Sequence, residues 1–100
     1  MPSFHNISTS VDTSDGAVKS AGGYVFWVTA SAGSTGGAWE LNDSTDDSGT
    51  DLLGHVQPAN SSTHFSFIGA PIPFADGIYA DIPGTNVTLM GYAAGSAFTT

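Results

Sequence analysis

No window of 11–18 residues in this chain repeats its apolar positions at the 3.6-residue period of a helix, and Gly or Ser interrupts every candidate. What recurs is short alternation between apolar and polar residues, bounded by turn residues. It is clearest from Ile72 to Tyr92. Ile78, Ala80 and Ile82 alternate there with Tyr79 and Asp81, and Val87, Leu89 and Gly91 alternate with Thr88, Met90 and Tyr92. Asp76-Gly77 and Pro83-Gly84 punctuate the stretch, since Pro presets φ and Gly tolerates positive φ. Two strands around such a connection read as a β-hairpin unit.

The same reading extends along the chain. It predicts strands near Phe4–Thr9, Tyr24–Ala30, Ala38–Asn42, Asp51–Gln57 and His64–Ile68, then the 72–92 unit. Polar or small-residue connections separate them at Ser10–Ser20, Ser31–Gly37, Asp43–Thr50 and Pro58–Ser62. In Ala38–Asn42, Trp39 and Leu41 fall on one face and Glu40 on the other. In His64–Ile68, Phe65 and Phe67 share a face. About seven or eight strands in 100 residues is the density of a single small antiparallel β-sandwich of jelly-roll type. The organisation expected is an N-terminal strand or arm over residues 1–12, the sandwich over 13–93, and a tail over 94–100.

One strand departs from simple alternation. Tyr24, Phe26 and Val28 would lie on one face and Val25 and Trp27 on the other, so both faces are apolar. A two-layer sandwich gives each strand one core face, which leaves the second to be covered by something else. The chain has no cysteine for disulfide reinforcement, and a domain of this size buries a modest core. A homo-oligomer, with a trimer favoured, is therefore expected, with Tyr24, Val25, Phe26, Trp27 and Val28 as its interface.

Charge narrows the function classes. Nine acidic residues face one basic residue, Lys19, for a net charge of -8. Binding to nucleic acid requires cations that displace counterions from phosphates, and attraction to an anionic membrane requires the same, so both are expected to be absent. The N-terminal residues lack the basic and apolar regions of a secretion signal, and the longest apolar run, Tyr24–Val28, is too short to span a bilayer.

Sites of chemistry are few. Asn42–Asp51 holds the one dense group of acidic residues and could offer oxygen ligands to Ca²⁺. Its acidic positions, Asp43, Asp46, Asp47 and Asp51, do not follow the spacing of an EF-hand. A solvated loop whose side chains bond local backbone is the competing reading. His5, His55 and His64 sit on separate predicted strands, and no His-x-His pattern joins them. Glu40 is the sole glutamate, and there is no Gly-x-Ser-x-Gly elbow. No enzymatic activity, catalytic residue, cofactor or metal is expected. The aromatics Tyr24, Trp27, Trp39, Tyr79 and Tyr92 could instead form a sugar-stacking platform or pack in the core and at interfaces.

The order of several pieces carries a resemblance. Ala21-Gly22-Gly23-Tyr24-Val25-Phe26-Trp27-Val28-Thr29 is followed by Gly37-Ala38-Trp39-Glu40-Leu41-Asn42-Asp43-Ser44, then by Ser48-Gly49-Thr50-Asp51-Leu52-Leu53, then by Phe74-Ala75-Asp76-Gly77-Ile78-Tyr79-Ala80-Asp81-Ile82-Pro83-Gly84-Thr85-Asn86-Val87-Thr88. Over residues 18–93 this is similar to small β-sandwich structural proteins of tailed bacteriophages, which serve as capsid decoration (cement) proteins, head spikes or fibre-base subunits. The resemblance implies a non-enzymatic homo-oligomer bound to the major capsid protein or another virion protein. Such a protein is made in the host cytoplasm and assembled on the outside of the head. The segment Pro2–Val11, with Phe4, His5, Ile7 and Val11, is the expected capsid contact, since terminal strands can pair with a partner's open edge. The alternative is a carbohydrate-binding or receptor-binding module of a phage tail or fibre.

Overall fold

The computed structural model describes residues 7–84 and 86–94, and among them every regular element is a strand. In chain order these are β1 (Ser8–Asp12), β2 (Gly16–Lys19), β3 (Gly23–Ala32), β4 (Gly37–Asp43), β5 (Thr50–Gln57), β6 (Ser62–Ser66), β7 (Ile72–Phe74), β8 (Ile78–Asp81) and β9 (Asn86–Ala94). They form two antiparallel sheets packed together as a small β-sandwich. The first sheet runs β1-β9-β3-β6, with β7 also paired to β3, and the second runs β2-β8-β4-β5.

Alternation is what drives the two sheets together. The first contributes Val25, Val28, Ala30 and Met90, and the second contributes Trp39, Leu41, Ile78 and Ala80, all fully excluded from solvent. Phe74 and Ile82 close the same cluster. In β4, Trp39 and Leu41 point into this layer and Glu40 points out, as their alternation predicts. Phe65 enters the core from β6 and meets Trp39 edge-on at a centroid distance of 5.9 Å.

Several expectations are corrected. Residues 10–20 are not one polar loop, because they hold the end of β1 and all of β2. Of the strand expected at Phe4–Thr9, Ser8 and Thr9 belong to β1, which runs on to Asp12, and Phe4, His5 and Asn6 lie outside the described residues. In β5 the inward row is Leu53, His55 and Gln57, while Val56 is 69% exposed. Phe67 lies beyond β6, where its N–H donates to the Phe26 carbonyl at 2.7 Å.

The largest correction concerns residues 72–92, which are not a hairpin. β7 and β9 belong to one sheet and β8 to the other. The Pro83-Gly84 turn, closed by the Asn86 N–H on the Pro83 carbonyl at 2.9 Å and with Gly84 at φ +29°, carries the chain across the sandwich instead of back along its neighbour. The inward row of β9 is also the opposite of the apolar one: Asn86, Thr88 and Met90 are buried, and Val87 and Leu89 face outward.

The doubly apolar strand is resolved by a bulge. Val25 pairs with Tyr92 and Trp27 with Gly91, so Phe26 is an extra residue. One inserted residue reverses the parity of a strand. Val25 and Val28 therefore both face the core, although odd spacing had put them on opposite sides. Tyr24, Phe26 and Trp27 fall together on the outer face, where Phe26 and Ala93 are buried and Tyr24 and Trp27 pack over them.

Candidate functional surfaces

The two outer faces differ in charge. The outer face of the second sheet gathers carboxylates from three strands and two loops. Glu40 on β4 is the ladder partner of Asp81 on β8. A carboxylate oxygen of each lies within 4.8 Å of the other and of one from Asp47. Asp51 and Asp15 adjoin this group, the first hydrogen-bonded to Glu40 and the second to Asp81.

The electrostatics follow from crowding without cations. Glu40 is pushed above its ordinary pKa, first by sharing a hydrogen bond with Asp51 and then by the Asp51 charge. Asp81 is pushed up by partial burial and then by its contacts with Asp15. Asp43 and Asp46 behave oppositely. The Asp76 N–H donates to Asp43 Oδ1 at 2.7 Å and holds that carboxyl low. Asp46 is held low by the hydroxyl and amide of Ser48.

The acidic loop therefore does not act as one ligand set. Asp43 and Asp46 are committed to local donors, and Asp47 and Asp51 join Glu40 and Asp81 on the sheet. Asn42, 1% exposed, steadies Asp47 by donating from Nδ2 at 3.2 Å. Among the described residues, Glu40, Asp47 and Asp81 are the ones whose oxygens could reach one cation. Nothing local in the sequence joins these three, because the order β2-β8-β4-β5 is what puts Asp81 beside Glu40.

The outer face of the first sheet carries no carboxylate among the described residues. Ladder register places Thr9 and Val11 of β1, Val87, Leu89 and Gly91 of β9, Trp27, Thr29 and Ser31 of β3, and Ser62, His64 and Ser66 of β6 there. Thr29 Oγ1 and His64 Nδ1 share a hydrogen bond at 2.7 Å, and Ser31 and Ser62 share one at 2.8 Å. Trp27 lies 6.1 Å from the His64 ring and covers Gly91, where a Cβ would overlap the indole. Val11 is 66% exposed, and Leu89, its ladder neighbour, is half-buried.

The sequence-predicted residues are thereby located. Of the expected interface, Val25, Phe26 and Val28 are already buried within the chain, and Tyr24 and Trp27 keep partial exposure. Of the expected capsid contacts within the described residues, Ile7 and Val11 are exposed beside and on the edge strand β1. His55 faces inward against Phe65 at 5.1 Å, whereas His64 faces outward, so the fold does not join them. The five aromatics do not form one platform. Trp39 is in the core, Tyr92 packs against it, Tyr24 and Trp27 share one outer face, and Tyr79 lies beside the carboxylates of the other sheet.

An open depression of about 540 Å³ lies at one end, lined among others by Gly23, Tyr24, Asp43, Leu52, Pro73 and Phe74. Its carboxylate, Asp43, already accepts the backbone N–H of Asp76. No family model matches this chain, and neither a curated protein nor a solved structure matches it significantly.

Proposed function

We propose that the chain is a non-enzymatic structural subunit of a tailed-bacteriophage virion, of the capsid decoration or head-spike type, docked through the uncharged outer face of the β1-β9-β3-β6 sheet. One observation carries the choice of face. β9 buries Asn86 and Thr88 while turning Val87 and Leu89 outward, beside Val11 on the edge strand. A sheet face that faces only water is expected to show the reverse, with its apolar row inside. Charge supports the orientation. Glu40, Asp47, Asp51 and Asp81 sit on the opposite sheet, so an acidic subunit can approach another protein surface by this face with least repulsion.

Attachment of this kind rests on apolar and main-chain contacts, with Lys19 as the only cation available for ion pairs. Exposed ion pairs contribute about 0–1 kcal/mol each, so they are a minor part of it. Salt screens the repulsion between acidic partners within about 10 Å at 0.1 M. Co-sedimentation with capsids assembled from the same genome should hold steady or strengthen from low salt to 0.5 M. Leu89→Lys, placed on the docking face, should weaken it. Shedding of the protein as salt rises would overturn the reading.

A further inference from the structure

We infer that β1 is a self-association edge, and that two copies pair their β1 strands antiparallel about a two-fold axis near Ser10, joining two first sheets into one continuous sheet. An edge strand presents a row of unpaired N–H and C=O groups, which soluble proteins blunt with lysine, proline, bulges or breaks. The other edges of this sandwich are blunted in those ways. β2 carries Lys19 and an irregular register between Ala17 and Lys19. β5 carries Asp51 and bulges opposite Leu41/Asn42. The far edge of the first sheet is split between β6 and β7, with Pro73 in the second piece.

β1 has only one such device, the core-facing charge of Asp12 at its last position. Its five residues, Ser8–Asp12, pair with β9 in unbroken register, without lysine or proline, and no described strand covers its other side. A pairing centred on Ser10 sets Val11 against Thr9 of the second copy, on the uncharged outer face. It sets Asp12, the only charge in the strand, against Ser8 of the second copy, so the two Asp12 residues stand about 14 Å apart at 3.4 Å per residue. That distance exceeds the screening length at physiological salt. The carboxylates of the other sheet stay on the outside of both copies. For a chain of net charge -8, this edge, whose single charge lies at its last residue, is where a second copy can approach most closely. A two-fold contact uses the same strand twice and closes at two copies.

The test is the solution mass of the isolated chain from about 5 to 300 µM, by light scattering and sedimentation. The wild type should pass from the 10.1 kDa chain mass to twice that value as concentration rises. Val11→Lys should remain monomeric throughout. Val56→Lys, equally exposed on the acidic sheet, should behave as the wild type or associate slightly more strongly, because it reduces the net negative charge by the same amount. Slowed amide exchange in Ser8–Val11 on dimerisation would add support. A wild type that stays monomeric to 300 µM, a mass that settles at three or more copies, or equal responses from the two lysine variants would each overturn the inference. A monomer that still sediments with capsids would remove the β1 pairing and leave the virion reading standing.

Discussion

Asp81→Asn isolates the energetic consequence of the carboxylate cluster. Asp81 stands within 4.8 Å of both Glu40 and Asp47, counted between their nearest available oxygens. Two unit charges at that distance cost about 0.9 kcal/mol in a water-like dielectric. Two such pairs, reduced by screening at 0.1 M salt, come to about 1 kcal/mol. The asparagine amide can also donate to Asp15, preserving the hydrogen bond that Asp81 makes there. For a domain of this size a gain of about 1 kcal/mol raises Tm by roughly 4–8 °C. Thermal melts followed by circular dichroism at pH 7 read this directly, with Asp76→Asn as a control that removes an exposed charge outside the cluster.

The pH dependence has a definite sign. Glu40 and Asp81 have raised folded-state pKa values, so below neutrality the folded state takes up protons before the unfolded state does. The wild type should therefore gain stability as pH falls from 7 toward about 5. Asp81→Asn should flatten that gain. Asp43 and Asp46, held low by their donors, contribute stability that is present above the ordinary carboxylate range and lost below about pH 4. A Tm for Asp81→Asn at or below the wild type, or an equal rise in the Asp76→Asn control, would refute this account.

Three further outcomes follow from the packing and charge. Thr88→Val should raise Tm, because Thr88 Oγ1 is buried without a protein partner and such a group costs about 1–3 kcal/mol; a fall would show that a water satisfies it. Gly91→Ala should destabilise by about 1–3 kcal/mol and red-shift tryptophan emission as the new Cβ displaces Trp27, and unchanged emission would count against the indole resting there. Raising NaCl from 0.02 to 0.5 M should raise the wild-type Tm, since like charges outnumber ion pairs, and a lower Tm at high salt would count against that balance.

The strands were legible where alternation was regular. Trp39 and Leu41 inward with Glu40 outward needed only period two. Sheet membership was not legible. Pro83-Gly84 serves a hairpin and a crossover between layers equally well, and only the pairing of β8 with β4 and of β9 with β3 decides. The Phe26 bulge was hidden because Tyr24–Val28 is apolar throughout, so no polar residue marks the change of parity. β2 was missed because Gly16-Ala17-Val18-Lys19 is too short to show a period. The carboxylate cluster was missed for a different reason: its members come from β4, β5, β8 and the loops before β2 and before β5, and proximity in sequence indicates only Asp47 and Asp51.

The place of β9 bears on how the chain reaches this fold. It is the last described strand in sequence, yet it lies between β1 and β3, and it is the only partner of β1 among the described residues. During synthesis β1 therefore waits, unpaired, until almost every other strand has been made. The first sheet closes by inserting its final strand between two that came earlier, so its order of assembly cannot follow its order of translation. Long sequence separation between pairing strands slows folding. A nascent chain halted before Asn86 would expose both β1 and one flank of β3 as open templates. Ribosome-bound chains of increasing length should accordingly gain protease resistance in one late step, after Ala94 has left the exit tunnel, and not strand by strand.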